Sequence, residues 1–348
     1  MHIGIVIPCY NGAALLPETL ASVTAQTHAD WRCVLVDDGS TDGTAAVLGG
    51  WADRDVRYRV VTQRNGGVAR ARNRGALELG DADALIFLDQ DDVWMPDALA
   101  ALTAGLDTHP ECVAAHGLCR KVDLGGRPLD GDGGVLKRVR RRLEGERLVP
   151  CDPDEPTTFA TLAGDGNNIY TPGLCLVRRD TSAAFDLLFD PSLVPSDDWD
   201  LWLRLSMRGP IAFVPSVVLD WRQHDANNSK DAPRMVRAAW DLLFRYVRRP
   251  DLTPEQRALV RYRYRRTFQS VIRHDAEYHL GAAGGKLRAG KPVAALGEVG
   301  RGVAAYARYV RLRRAWPTSL YEQPIPLPRR FASAAEESSS SETSAHAT

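Results

Sequence analysis

Nowhere does the 348-residue chain hold the run of roughly 18 consecutive apolar residues that a membrane-spanning helix needs. No secretory leader precedes the first apolar run, which begins almost at Met1, so a soluble, cytoplasmic protein is expected, at most peripheral to the inner face of a membrane. Six cysteines (Cys9, Cys33, Cys112, Cys119, Cys151, Cys175) lack C-x-x-C spacing, which argues against a zinc site or a disulfide framework. Several lie in apolar stretches such as Trp31-Arg-Cys-Val-Leu-Val36 and read as free, buried thiols. Net charge is missing too, with 44 Lys+Arg against 44 Asp+Glu, but the balance conceals an asymmetry. Residues 1–233 carry 23 basic and 34 acidic side chains, residues 234–314 carry 19 and 6. Finally, the first apolar run is followed by neither G-x-G-x-x-G nor G-x-x-x-x-G-K-[ST], which sets aside dinucleotide-binding and P-loop readings. In their place stands Pro8-Cys9-Tyr10-Asn11-Gly12.

What is present, at 44% hydrophobic residues, suffices for one large or two ordinary domains. His2–Pro8 reads as a buried strand and Ala13–Gln26 as a helix with Leu15, Leu16, Leu20 and Val23 at helical spacing. Strands are expected again at 31–36, 56–62 and 84–88, with a helix at 68–79 between the last two. This alternation signifies a doubly wound α/β sheet. After the second strand, Asp37-Asp38-Gly-Ser-Thr-Asp-Gly-Thr44 is either a solvated helix-capping turn or a site where Asp38 accepts hydrogen bonds from a base or ribose. The 68–79 helix opens with Arg70, Arg72 and Arg74, which are either surface arginines or part of an anion site at a helix N-terminus.

The fourth strand runs straight into Asp89-Gln-Asp91-Asp92. D-x-D occurs six times in the chain, so the pattern alone carries little. Only the Asp89 copy follows an apolar strand without an intervening turn residue, at the sheet edge where open α/β folds bind ligands. Such charge suits a hard cation carrying an anionic substrate.

Beyond it, a helix is expected at 96–106 and strands at 112–118 and 174–177, while the weakly periodic stretch from Arg120 to Thr171 reads as a mobile loop over the site. Ser196-Asp197-Asp198-Trp199-Asp-Leu-Trp202 opens a helix whose two acids either favour its positive end or sit in an aromatic pocket that raises a carboxylate's basicity. Strand material at 210–219 leads to Trp221-Arg222-Gln-His224, where the histidine is structural or a ligand. Residues 235–315 read as helical, broken between Gly281 and Gly290, and the chain ends in a proline-rich then Ser/Glu-rich tail expected to be disordered.

Five segments in this order, Ile5-Val-Ile-Pro-Cys-Tyr-Asn11, Val36–Thr44, Asn65-Gly-Gly67 through Gly75, Phe87–Asp92 and Asp197–Trp202, resemble the family 2 glycosyltransferases over residues 1 to about 230. The resemblance implies a GT-A, Rossmann-like, doubly wound mixed sheet in a catalytic domain of residues 1–233; outside it, composition and spacing give a basic helical subdomain at 234–316 and a proline-rich then low-complexity tail at 317–348. It further implies inverting transfer from a nucleotide-sugar donor, most typically a UDP-sugar, to an acceptor hydroxyl on a saccharide, a lipid-linked saccharide or a small molecule. Pro8, Tyr10, Asn11, Asp38, Gly67, Arg72, Asn73 and Asp89 would hold the donor. Asp91, Asp92 and His224 would bind Mn²⁺ or Mg²⁺, and Asp198 would be the general base. Relatives usually carry Glu-Asp where this chain has Asp197-Asp198.

A sugar nucleotidyltransferase is the nearest rival enzyme, but it would want a glycine-rich basic loop after the first strand, which is absent. The basic section admits a second class of reading, a docking module for a membrane or polyanion, beside a helical subdomain that meets the acidic half or a second copy. No nucleic-acid motif accompanies its interleaved Arg and Tyr, so nucleic acid is not expected as a partner.

Overall fold

The structure, a computed structural model, describes residues 1–136, 140–144, 147–179, 189–225, 227 and 230–315. Strand β1 (Ile3–Cys9) is buried along its whole length and pairs in parallel with β2 (Trp31–Asp37) and β4 (Ala84–Phe87). That explains its unbroken apolar run, since a strand covered on both faces has no solvent side to alternate with. Helix α3 (Val68–Glu78) packs on β1 and β2 through a glycine: a Cβ at Gly75 would lie 2.3 Å from a Val6 methyl carbon. The close approach brings the next residues back along α3, Arg72 and Asn73, over the sheet's C-terminal edge.

The main sheet has eight strands in the order β3-β2-β1-β4-β9-β6-β10-β5, with β3 at Tyr58–Thr62, β5 at Val93–Trp94, β6 at Ala114–Val122, β9 at Cys175–Arg178 and β10 at Ile211–Arg222. The first four are parallel; β9 runs antiparallel to both neighbours, and β5 lies antiparallel on β10. Helices α1 (Leu16–Thr24), α2 (Thr44–Ala52) and α4 (Ala98–Thr108) complete the layers of this half. The expected mixed α/β architecture is therefore present, with β5 as an addition that no periodicity announces because it is two residues long. It matters for the site: β5 fixes the far side of the Asp89–Asp92 turn, with Trp94 Nε1 donating to Gly173 O at 2.8 Å.

One expectation needs correction. The stretch between Arg120 and Thr171 is not a plain loop, since it contains a hairpin of β7 (Arg141–Glu144) and β8 (Arg147–Pro150) and helix α5 (Phe159–Asp165). A reciprocal Thr158/Thr161 capping box starts α5 and substitutes for strong periodicity. The break expected between Gly281 and Gly290 falls at the end of that range, and the glycines at 281, 284 and 285 stay within a helix. Following α7 (Ala232–Val247), helix α8 runs from Pro254 to Arg288, and the turn into α9 (Pro292–Ala315) falls at Gly290, the residue with φ +69°. A helical glycine costs only about 1 kcal/mol, which packing of α8 on α5, α7 and α9 offsets. Helix α7 is tied to α6 (Asp197–Ser206) by Tyr246, whose hydroxyl donates to Asp200 Oδ1 at 3.0 Å.

All six cysteines are free, five of them buried and Cys151 half-buried. Among the described residues no helix is long and apolar enough to cross a membrane. The tail from residue 317 and Lys137–Arg138 of the basic cluster lie outside the described residues.

Candidate active site

The C-terminal ends of β1, β2 and β4 converge on one edge of the sheet, and their turns interlock. Pro8 is buried within β1 opposite Val36. Immediately beyond, Gln90 staples the backbone of Tyr10 from both sides: Tyr10 N–H donates to Gln90 Oε1 (2.8 Å) and Gln90 Nε2 donates to Tyr10 O (3.0 Å). The tyrosine backbone is thereby fixed while its ring stays 46% exposed. Asn11, at φ +46°, accepts from Thr41 N–H at 2.8 Å and ties the first turn to the second.

Asp38 is buried under that turn. Its Oδ1 accepts from Gln63 Nε2 (2.7 Å) and Gly66 N–H (2.8 Å), and its Oδ2 from Gly67 N–H (2.8 Å). Three of the roughly four acceptor positions of a carboxylate are therefore filled. The carboxylate shapes the loop that opens α3, where Gly67 sits at φ +89°, a conformation that favours glycine.

Of the three arginines on α3, two do ordinary surface work. Arg70 donates to Gly66 O and Arg74 pairs with Glu78 one turn on. Arg72 differs, being 5% exposed and bridging two carboxylates, Asp89 Oδ1 at 2.6 Å and Asp197 Oδ2 at 3.1 Å. Burial works against its charge, yet Asp89 and Asp197 outweigh it and hold the guanidinium above its ordinary pKa. Its neighbour Asn73 spends both amide atoms on the backbone of Phe189, whose ring lies under the Arg72 guanidinium.

The four residues after β4 have four different environments. Asp89 faces Arg72 and receives a long bond (3.4 Å) from Thr171 Oγ1, while Gln90 holds Tyr10. Asp91 Oδ2 lies 2.9 Å from His224 Nε2, and its backbone carbonyl accepts from Arg222. Asp92 points inward, 1% exposed, with Oδ2 bonded by Thr171 (3.0 Å) and Oδ1 without a protein partner. Burial first, then the neighbouring acids, raise both Asp91 and Asp92 above the usual carboxylate range. The structure thus brings Asp91 and His224 together, with Asp89 alongside, and turns Asp92 inward to the Thr171 hydroxyl that Asp89 also reaches. Among the described residues, only His109, Glu111 and Cys112, at the turn between α4 and β6, form a trio of His, Cys, Asp or Glu ligand atoms all within 4.8 Å of one another.

The second acidic pair sits at the start of α6. Asp197 is buried against Arg72, whereas Asp198 is half-buried and accepts from its neighbour's backbone, Trp199 N–H (2.6 Å), and from Asn167 Nδ2 (3.2 Å). Burial, reinforced by Asp197 and only partly offset by Arg72, pushes Asp198 up to about 8. Trp199 and Trp202 are buried, so the apolar face of α6 supplies that desolvation.

Several residues in this arrangement were not singled out by sequence: Gln90, Asn167, Thr171, Phe189 and Arg222. Arg222 also reaches Glu18, Leu15 O and Thr19 and so locks β10 to α1 behind the turn. Gln90 and Arg222 do lie inside segments that the sequence marks, but nothing local distinguishes a glutamine that staples a backbone from one in solvent.

A mixed α/β layer with tyrosine, acidic and arginine side chains crowded at the C-terminal strand ends defines a nucleotide-handling class of fold. The model described as Glycosyl transferase family 2 matches residues 4–153, a little under half of the chain, and this part of the chain is similar to that family. Among curated proteins, the chain is 36% identical over 196 residues to the uncharacterized glycosyltransferase EpsJ of Bacillus subtilis, covering 56% of this chain and 53% of that one. It is 43% identical over 98 residues to the succinoglycan biosynthesis protein ExoW of Rhizobium meliloti, covering 27% and 31%. The matched stretches thus span about half or less of these relatives' own lengths. Solved structures share the fold at low identity: S. aureus TarS 1–349 in complex with UDP-GlcNAc (TM-score 0.59, 14% identical, 88% of this chain and 92% of that one) and the mannosyltransferase PcManGT from Pyrobaculum calidifontis in complex with GDP-Man and Mn²⁺ (0.57, 17%, 97% and 80%). The fold is GT-A.

Proposed function

We propose that the protein is a metal-dependent, inverting glycosyltransferase that moves a sugar, a hexosyl or related residue, from a nucleoside diphosphate sugar to an acceptor hydroxyl. The observation that carries this reading is the pairing of two carboxylate clusters through one buried arginine: Asp89 with Asp91 on one side, Asp197 with Asp198 on the other, and Arg72 between. Inverting transfer needs these two functions apart, one for the diphosphate and one for the acceptor proton.

The donor set fits a divalent cation. Asp91 offers a carboxylate oxygen beside an imidazole nitrogen of His224, Asp92 keeps an unbonded buried oxygen, and burial together with neighbouring like charge raises both acids, a penalty that a cation would relieve. Oxygen donors with one imidazole suit Mn²⁺ or Mg²⁺. When bound, such an ion supplies electrostatic stabilisation of the departing nucleoside diphosphate.

The chain's own groups supply the rest. The exposed Tyr10 ring offers a face for the base, and the remaining acceptor position of Asp38 can take a base or ribose hydrogen. Asn11, Gly67 and Asn73 shape the loops around the donor, and Pro8 sets the turn beneath it. Asp198 accepts the acceptor's proton as its oxygen attacks the face of the anomeric carbon opposite the leaving group. A carboxylate raised to about 8 is a stronger base than an ordinary one, and Asn167 holds its second oxygen in place. The neighbours bound to UDP-GlcNAc and to GDP-Man make nucleotide sugars the donors to try, with uridine first.

A thermal-shift and donor-hydrolysis screen of UDP- and GDP-sugars, each with and without Mn²⁺, tests the reading. A donor that stabilises and is slowly hydrolysed only with the ion supports it. Pyrophosphate release from a nucleoside triphosphate, or no response to any donor, overturns it.

A further inference from the structure

The α8–α9 hairpin exposes apolar side chains that nothing in the fold uses. On α9, Val293 is 82% exposed, Leu296 70% and Val303 58%, while Leu280 and Leu287 stand out from the end of α8. At about 100° per residue, Val293, Leu296, Gly300 and Val303 share one side of α9. Among the side chains described there, the opposite side buries Ala295, Glu298 and Gly302 against α8. An amphipathic helix ordinarily does the reverse, packing its large apolar residues inward. An exposed patch of this kind marks a surface meant to be covered.

Charge says by what. In residues 279–315 the sole acidic residue is Glu298, against eight Lys and Arg. Glu298 is buried and already engaged by His279 (2.7 Å), Lys286 (2.5 Å) and Arg301 (2.7 Å), which hold its carboxyl far below the usual range. Between residues 279 and 315 the described outer surface therefore presents apolar groups beside Arg288 and Lys291, with no exposed carboxylate. A second copy meeting this face with its own would set cation against cation, which disfavours a symmetric dimer. A bilayer rich in anionic headgroups complements both features, taking the valines and leucines into its interface and the arginines and lysines at the phosphate level.

We propose that the outer face of the α8–α9 hairpin docks the protein on an anionic lipid surface, with α9 lying in the interface rather than crossing it. Since each amphipathic contact is modest, attachment is reversible and depends on both apolar burial and lipid charge.

The test is flotation of the full chain with vesicles of phosphatidylcholine alone and with a phosphatidylglycerol mixture, for the wild type and for Leu296→Asp and Val303→Asp. Both positions are solvent-exposed, so circular dichroism and melting should be unchanged. Wild-type protein is expected to float with the anionic vesicles and not the neutral ones, and each aspartate to weaken binding by about tenfold. A retained affinity in the double variant overturns the proposal. So does equal binding to neutral vesicles, or no binding to either. A concentration-dependent dimer in sedimentation velocity that the variants abolish would assign the face to a second copy and equally overturn it. Nucleotide-sugar hydrolysis in solution is read alongside, and its loss in wild type would count against the proposed activity, not against docking.

Discussion

Two pairs of adjacent aspartates at the same sheet edge behave differently. Asp91 and Asp92 follow β4 in a turn surrounded by hydrogen-bond donors from β10 and its exit, while Asp197 and Asp198 open a helix whose underside is tryptophan. In the first pair one acid turns to His224 and the other inward to Thr171. In the second, one is neutralised by Arg72 and its neighbour is left half-buried with a raised pKa. Burial raises all four acids, so the difference lies in their partners: His224 and Thr171 at the turn, Arg72 and Asn167 at the helix start. Arg72 links the two regions by bridging Asp89, beside the first pair, and Asp197 of the second.

Removing the proton acceptor should separate the pairs most sharply. Asp198→Asn is expected to lower transfer by about a thousandfold while leaving the donor-induced thermal shift intact. Full activity in that variant would remove Asp198 as the base. Breaking the link comes next: Arg72→Met leaves Asp197 buried without its partner and should cost about 3 kcal/mol of unfolding free energy, measurable in urea. An unchanged denaturation midpoint would show that the two acidic regions are independent.

On the other side, Asp91→Asn should weaken Mn²⁺-dependent nucleoside diphosphate binding by about tenfold to a hundredfold, read by calorimetry, with little change in binding without the ion. Loss of transfer with unaltered ion dependence would erase the distinction drawn between the pairs.

The smallest effect lies in pH. Since Asp198 is raised to about 8, transfer should climb with pH up to that value and level off, whereas Mn²⁺-dependent donor binding should not follow the same curve. The stability effect has the opposite direction. A carboxyl raised in the folded state stabilises while protonated, fully below its ordinary value near 4, and loses that contribution as pH rises through about 8. Wild type should therefore lose more thermal stability between pH 7 and 9 than Asp198→Asn. Parallel losses would place the titration elsewhere.

Much of this architecture was legible from local pattern. The apolar runs at 3–9 and 31–37 mark buried parallel strands because two covered faces demand it, and the acids after Phe87 had to lie at a strand end. Less visible was the hairpin and helix between Arg120 and Thr171, where a capping box and strand pairing replace periodicity. The helical break was legible as far as Gly290, while the glycines at 281, 284 and 285 stay helical because their cost is small beside the packing gained.

By itself the chain determined the order of strands and helices, the position of Asp89–Asp92 and Asp197–Asp198, and a C-terminal section rich in arginine. Those features follow from periodicity and composition over a few neighbouring residues. Only the tertiary structure decided that Arg72, of three arginines, stands between Asp89 and Asp197, that Asn73 is spent on Phe189, and that Asp92 turns to Thr171. It also decided that α9 faces its valines outward. Partners as far apart as 125 residues meet only when the sheet edge is assembled, and burial, which raises each carboxylate's basicity, does not exist before then.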